Sequence, residues 1–146
     1  MGKAVEFKNV TKAYGEVKAV RDLSFTIDHG KLVTLLGPSG CGKTTTLRLI
    51  AGLEMVTEGN VFIGDKEVTR ISASDRDVSM VFQSYALFPH MTVIQNVSYG
   101  LTMSRLSKEE VSEKAQDGLN LVGLTDFSKR FPSELSGGQQ QRVAVA

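Results

Sequence analysis

The chain has 146 residues, 41% of them hydrophobic, and its 17 basic side chains nearly balance its 16 acidic ones. This length suits one domain with a real core, and the composition excludes bulk disorder. The balanced charge argues against nucleic acid as a partner, because binding it requires a basic face. With a single cysteine, Cys41, the chain has no internal disulfide and no cysteine-rich zinc site.

The first part of the chain is predicted to begin with antiparallel strands. Val5–Phe7 and Leu23–Ile27 alternate apolar and polar residues, as half-buried strands at the edge of a sheet do. His29 and Gly30 then turn the chain. Val61–Ile63 and Val68 flank the dipeptide Gly64–Asp65, a pattern typical of a short hairpin.

Two continuous apolar runs predict strands of a parallel sheet. Leu32–Leu36 ends at a glycine, which suits a strand buried on both faces, and Val78–Phe82 predicts the next such strand. Between them, Lys43–Leu53 has the pattern of a helix that ends near Gly52. Because its apolar residues surround the helix, we expect it to be buried. The fold class is therefore α/β, with a mostly parallel sheet and helices.

The last third of the chain is predicted to be helical. Ser107 and Glu110 form a capping-box pattern, and helical spacing then continues to Gly123. A further helix begins after Ser136 and reaches the last residue without a stop signal. We therefore expect the chain to be the front part of a longer protein, incomplete at its C-terminus.

Residues 37–44 read GPSGCGKT and match G-x-x-x-x-G-K-[ST] between a predicted strand and a predicted helix. The glycines let backbone N–H groups point into one concavity, where the helix N-terminus adds partial positive charge. Lys43 would reach terminal phosphates, and the Thr44 hydroxyl would bind the bridging magnesium. An ordinary glycine-rich turn is the alternative. We interpret Cys41 as a small turn residue rather than a reactive thiol. The phosphate-binding residues would be Gly37, Pro38, Ser39, Gly40, Cys41, Gly42, Lys43 and Thr44.

Residues 135–139 read LSGGQ and predict a second anion site at a helix start. Ser136 can cap the following helix through its hydroxyl. Gly137 and Gly138 would leave backbone N–H groups bare beside that cap. A plain helix cap with a flexible approach is the alternative.

Together, these motifs resemble those of the ATP-binding cassette (ABC) ATPases. LSGGQ followed by QQR resembles their signature, and residues 37–44 resemble their Walker A loop. Gln83 matches the family's Q-loop glutamine, and Tyr14 matches the aromatic residue that stacks on adenine. Residues 85–100, YALFPHMTVIQNVSYG, are similar to import ATPases that serve small solutes such as sugars, polyamines, sulfate or ferric iron.

The resemblance implies a P-loop fold in three regions. Residues 1–35 would be the antiparallel β region, residues 36–83 the core from the Walker A loop to the Q-loop, and residues 84–146 a helical subdomain with the signature. It also implies a head-to-tail pair of ATPase subunits that bind ATP and Mg²⁺. A transmembrane permease would contact residues 83–91, and an extracytoplasmic solute-binding protein would act indirectly. The location would be peripheral, at the cytoplasmic face of the cell membrane.

The resemblance also implies a role for each matching residue. Tyr14 would contact the base, residues 37–45, including Thr45, would contact phosphates and magnesium, and Gln83 would serve magnesium, the attacking water and the permease contact. Lys43 and Gln83 would be the catalytic residues. The signature residues of one subunit would act on the partner's nucleotide, and these are Ser136, Gly137, Gly138 and Gln139.

The chain departs from the family pattern after the signature. No strand ending in Asp and Glu and no switch histidine follows Ser136, and His90 lies in a predicted loop, where we interpret it as structural or interfacial. Two alternatives therefore stay open. The chain could be a nucleotide-binding fragment without catalysis, or a different P-loop protein, such as a small-molecule kinase or a non-transport ABC ATPase.

Overall fold

The computed structural model describes residues 2–146. The first part of the chain forms a four-stranded antiparallel sheet. Strand β1 (Lys3–Tyr14) pairs with both β2 (Val17–Asp28) and β3 (Glu58–Ile63), and β4 (Lys66–Glu67) completes the order β2-β1-β3-β4. The predicted antiparallel pairing and the hairpin around Gly64 are confirmed. The prediction that the first strand lies at an edge is wrong, because β1 has a neighbour on each side.

One face of this sheet forms a hydrophobic core with the first helix, α1 (Lys43–Ala51). Phe7 and Val10 of β1 are buried, and the Phe7 ring stacks on Phe25 of β2 at 4.6 Å between centroids. Leu49 supplies the contact from α1 and is also fully buried. The helix that follows the glycine-rich loop is therefore fixed against the sheet by apolar burial.

The two segments predicted as parallel strands are not strands. Leu32–Leu36 has no strand assignment, and Leu32 is 97% exposed. Val78–Phe82 is also irregular, and its last residue, Phe82, is exposed. A strand needs a neighbouring strand for its backbone hydrogen bonds, and within residues 2–146 the described strands pair only with one another. An apolar run in the sequence indicates hydrophobicity, but it does not show that a partner strand is present.

Helix α1 is shorter and more exposed than its sequence pattern predicts. It ends at Ala51, and Gly52 forms the C-cap in the left-handed conformation, with φ 75°, as the glycine predicts. The prediction that it is buried all round is wrong, because Leu47 and Leu53 are 45% and 46% exposed. Only one stripe of the helix meets the sheet.

The second part of the chain contains three helices: α2 (Val93–Thr102), α3 (Lys108–Leu121) and α4 (Gly137–Val145). The capping box of α3 is confirmed, and so is its stop at Gly123, which has φ 67°. Helix α2 was not predicted from the sequence, although a capping box marks its start. The buried residues around these helices are Val93, Leu119, Leu124, Leu135 and Val143.

Contacts divide the chain into two units, the first ending at Met80 and the second covering Val81–Ala146. Each unit has its own hydrophobic cluster. The fold is α/β, with an antiparallel β subdomain and helices, which confirms the predicted class at that level. No helix in the described residues is both long and apolar enough to cross a bilayer.

Candidate functional site

The glycine-rich loop wraps around the start of α1 with a backbone that only glycine adopts easily. Gly40 and Gly42 have φ values of 81° and 91°, in the left-handed region. A Cβ atom at Gly42 would lie 2.5 Å from the carbonyl oxygen of Ala19 in β2, closer than atoms can approach. The loop therefore lies directly against β2, and Gly42 is the point of contact.

The Lys43 side chain folds back into this loop. Its Nζ atom donates to the carbonyl oxygens of Gly37 at 2.7 Å and Pro38 at 2.6 Å. A third, longer contact of 3.4 Å joins it to the Cys41 Sγ atom. The loop thus encloses the positive charge of the Lys43 ammonium. The sequence predicts that the terminal phosphates bind at this place.

The start of α1 is suited to an anion. Its N-cap is Gly42, so no side chain caps the N–H groups of the first turn, and that turn carries no acidic residue. Unpaired N–H groups and the helix dipole both favour a bound negative charge there. The start of α3 differs, because Ser107 caps it and two glutamates occupy its first turn. The residues present therefore fit a phosphate group.

Thr44 and Thr45 occupy the first turn of α1 beyond Lys43, and the Thr44 side chain is exposed. Among the residues that the structure describes, no cluster of three or more His, Cys, Asp or Glu side chains could hold a metal ion. A magnesium ion bound here together with phosphate oxygens would have the exposed Thr44 hydroxyl as a protein ligand. This donor set suits magnesium, which usually keeps several waters.

A cavity of about 400 Å³ lies between the loop and β2. Gly40 and Cys41 of the loop and Thr46 of α1 line one side, and Lys18 and Arg21 are among the lining residues from β2. Thr46 is buried, and its hydroxyl donates to the Gly42 carbonyl oxygen at 2.9 Å. The cavity thus has basic side chains opposite the glycine-rich loop, which favours a polyanionic ligand.

Tyr14 is the last residue of β1. It pairs with Val17 of β2, and Ala19, which contacts Gly42, lies two residues further along the same strand. Strand β2 therefore links Tyr14 to the loop at the same end of the hairpin. The Tyr14 ring is 46% exposed, so it is available for contact with a ligand.

The signature residues form the start of α4. Ser136 caps this helix by accepting from the Gln139 N–H at 3.3 Å, while the Gln139 side chain accepts from the Ser136 N–H at 2.9 Å. The predicted cap is confirmed, and Gln139 is an unpredicted second half of a capping box. Gly137 and Gly138 are exposed, and a Cβ atom at either would meet no atom within 4 Å. Their backbone is open to an approaching group.

Gln83 belongs to the second unit and lies in a turn that the Tyr85 N–H closes by donating to the Phe82 carbonyl oxygen at 2.9 Å. It is exposed. Tyr85 and Ala86 both have positive φ, at 62° and 53°, which is unusual for residues with a side chain. The segment after Gln83 is therefore sharply bent.

Residues 85–91 include a cluster of large apolar side chains, Tyr85, Leu87, Phe88 and Met91, and these side chains differ in burial. Leu87 packs against the core of the second unit, whereas Phe88 is 37% exposed and its ring lies 4.6 Å from that of Tyr99. His90 is exposed in this loop, with its ring 6.1 Å from Phe88. Asn96 holds the loop by accepting from the Phe88 N–H at 2.8 Å. Core packing thus accounts for part of the cluster only.

Sequence motifs did not indicate two residues beside Tyr14. Lys12 lies over the Tyr14 ring at 4.7 Å and forms an ion pair of 3.0 Å with Glu54. Proximity to Lys12 holds the pKa of the Glu54 carboxyl below its usual range. The only signal in the sequence was the spacing of Lys12 and Tyr14, two residues apart in a strand.

Comparison with known proteins places these features in a family. The family model described as ABC transporter matches residues 20–146. The chain is 63% identical over 143 residues to the Fe(3+) ions import ATP-binding protein FbpC of Brucella abortus (strain 2308), covering 98% of this chain and 40% of that protein. It is 51% identical over 142 residues to the spermidine/putrescine import ATP-binding protein PotA of Haemophilus ducreyi, covering 97% and 38%. The chain therefore spans about 40% of the length of such relatives.

The backbone of the chain is also similar to that of solved ATP-binding cassettes. The dimeric post-hydrolysis structure of the ATP-binding cassette MJ0796 bound to ADP and Pi superposes with a TM-score of 0.86 at 35% sequence identity. The superposition covers 97% of this chain and 67% of that one. With a family match over most of its residues and the same backbone path as a solved cassette, the chain belongs to the ABC transporter family.

Proposed function

We propose that this chain is the nucleotide-binding part of an ATPase subunit that energises the import of a small solute. The observation that carries the proposal is the glycine-rich loop at the start of α1, with the Lys43 ammonium held inside it. ATP would place its phosphates in this loop and its base near Tyr14. Mg²⁺ would bind the phosphates and Thr44, and Gln83 would assist magnesium and the attacking water.

Replacing Lys43 tests the binding site. Each hydrogen bond to a charged group contributes about 1.5–3 kcal/mol, so Lys43→Ala should weaken MgATP binding about 10- to 150-fold. Isothermal titration calorimetry of the purified chain measures this change. Lys108→Ala is the matched control, because Lys108 is the first residue of α3 as Lys43 is of α1. Equal affinity of Lys43→Ala and the parent would remove Lys43 from the site.

Nucleotide binding without turnover is the second candidate for this polypeptide. Phosphoryl transfer requires a group that orients the attacking water and carboxylates that help hold magnesium. Residues 137–146 of this polypeptide, which follow the signature serine, include no Asp or Glu. Phosphate release from ATP separates the two candidates, since a rate that Lys43→Ala abolishes would establish turnover.

The exposed glycines at the start of α4 support a head-to-tail pair of subunits. Ser136, Gly137, Gly138 and Gln139 would act on the nucleotide held by the partner's loop, because bare N–H groups at a helix start bind anions. The MJ0796 cassette, 35% identical, is described as a dimer with bound ADP and Pi. Permease subunits would contact the bent segment of residues 83–91, and a solute-binding protein would act through them.

Ferric iron is the first candidate for the imported solute, because the relatives that are 63% identical are named Fe(3+) import ATP-binding proteins. A polyamine is second, from the 51% identity to a spermidine/putrescine import protein. The subunit would work at the cytoplasmic face of the cell membrane as a peripheral component. Disrupting the gene should abolish uptake of radioactive Fe(3+) and spare uptake of spermidine. The reverse pattern would favour the polyamine.

A further inference from the structure

Lys12 covers part of the Tyr14 ring. The two residues are two apart in β1, so their side chains lie on the same face of the strand. The Lys12 Nζ atom lies over the ring, 4.7 Å from its centroid, within the range of a cation–π interaction. Tyr14 nevertheless keeps 46% of its surface exposed. The ring is therefore held on one side and open to another group.

The Lys12 ammonium is itself held from two directions. The Glu54 carboxylate lies 3.0 Å from Nζ, and the Met55 carbonyl oxygen accepts a hydrogen bond of 2.9 Å. Only 13% of the Lys12 side chain and 23% of the Glu54 side chain are exposed. Salt screens such a partly buried pair much less than a surface pair. The ammonium therefore keeps a fixed place over the ring.

The residues that hold Lys12, Glu54 and Met55, lie in the segment that directly follows α1. The Glu54 N–H donates to the Arg48 carbonyl oxygen at 3.3 Å, in the last turn of that helix. Just beyond, the Thr57 N–H donates to the Thr11 carbonyl oxygen at 2.8 Å and ties the segment to β1. Because α1 begins at the glycine-rich loop, one connected set of bonds joins that loop to the aromatic ring.

We propose that Lys12 and Glu54 are positioning residues that hold the Tyr14 ring ready to stack on the base of a nucleotide. This inference rests on the proposed function and extends it to two residues outside the motifs. A ring ordered before the ligand arrives loses less conformational entropy on binding. The ammonium covers one face and leaves the other for a flat base, for which offset stacking is favourable. Burial, and then the hydrogen bond with Glu54, raise the pKa of Tyr14, so the phenol stays neutral.

Lys12→Met tests the inference, because methionine keeps an apolar stem and removes the charge. Calorimetry on the 146-residue chain would compare MgATP with magnesium tripolyphosphate, which has phosphates and no base. We expect ATP affinity to fall about three- to tenfold and tripolyphosphate affinity to stay within about twofold. Lys12→Arg, which keeps a cation, should restore ATP affinity.

Lys8→Met is the matched control. Lys8 also lies over an aromatic ring, 4.4 Å from the centroid of Phe62, and pairs with Glu6 at 3.3 Å. The Phe62 ring belongs to β3 rather than to the end of β1, so neither the affinity for MgATP nor that for tripolyphosphate should change. In a Tyr14→Ala background, Lys12→Met should have no further effect on ATP affinity.

Two results would overturn the inference. One is an equal loss of affinity for ATP and tripolyphosphate, or a loss that persists in the Tyr14→Ala background, since Lys12 would then act on the loop or the fold. The other is unchanged ATP affinity in Lys12→Met. If that variant does not fold, Glu54→Gln carries the same expectation of a base-dependent loss. A parent chain that binds neither ligand would refute the nucleotide site itself, a result visible without any variant.

Discussion

At the scale of single residues, the loop glycines have different tasks although all belong to one motif. Gly40 and Gly42 share a left-handed backbone, yet only Gly42 lies against another element. A Cβ atom at Gly40 would meet nothing within 4 Å, whereas one at Gly42 would overlap the Ala19 carbonyl oxygen. The motif specifies glycine at position 42 and leaves position 40 open, and the structure shows that Gly42 is the one that lets the loop approach β2.

This difference predicts the stability of two alanine variants. Gly40→Ala should cost about 1–2 kcal/mol for its left-handed backbone. Gly42→Ala should cost about 1–3 kcal/mol more, because its methyl group forces the loop away from β2. Urea denaturation of both variants measures the ranking. Equal midpoints for the two would contradict the close approach of Gly42 to β2.

At the scale of elements, both ends of α1 are held by residues outside the helix. The glycine-rich loop forms its start, and Arg76 covers its end. Arg76 is buried, and its guanidinium donates to the carbonyl oxygens of Leu49 at 2.6 Å and Ile50 at 2.9 Å, and to that of Ile71 at 3.0 Å. Burial lowers the pKa of Arg76, while the negative end of the helix dipole favours its charge.

Removing this cap should destabilise the first unit. Arg76→Ala leaves buried carbonyl groups without their donor, and each such group costs about 1–3 kcal/mol. We expect the free energy of unfolding to fall by about 2–4 kcal/mol, measured by chemical denaturation. Arg70→Ala is the control, because Arg70 is an exposed arginine of the same segment and its loss should change stability by less than about 0.5 kcal/mol. Similar stabilities of the two variants would refute the capping role.

At the scale of the whole molecule, each unit has its own core. The first unit holds the loop and Tyr14, and the second holds the signature and Gln83. The match to the ABC transporter family, over residues 20–146, includes the loop, Gln83 and the signature, whereas Tyr14 lies outside it. The second unit also presents Phe88, whose ring is only partly covered by Tyr99. An exposed aromatic side chain on a bent segment is suited to a protein partner.

Phe88→Ala should therefore weaken assembly with the proposed permease partner and leave ATP affinity unchanged. The physical reason is that Phe88 would bury its exposed surface against the partner, whereas the glycine-rich loop lies in the other unit. Copurification with the permease from detergent-solubilised membranes measures assembly. Phe131→Ala is the control, because Phe131 is a similarly exposed phenylalanine of the same unit, 43% against 37%. An unaltered complex with Phe88→Ala would refute the contact.

The sequence by itself determined the features that depend on a few neighbouring residues. Capping boxes, glycine stops and the glycine-rich loop are local, because each is satisfied by hydrogen bonds and backbone angles within one or two turns. Tertiary structure decided the rest. It placed Lys12 beside Met55, 43 residues away, and Arg76 at the end of α1. It also left Leu32–Leu36 without a partner strand among the described residues. Such features depend on groups far apart along the chain, and hydrophobic periodicity reports neither their pairing nor their distance.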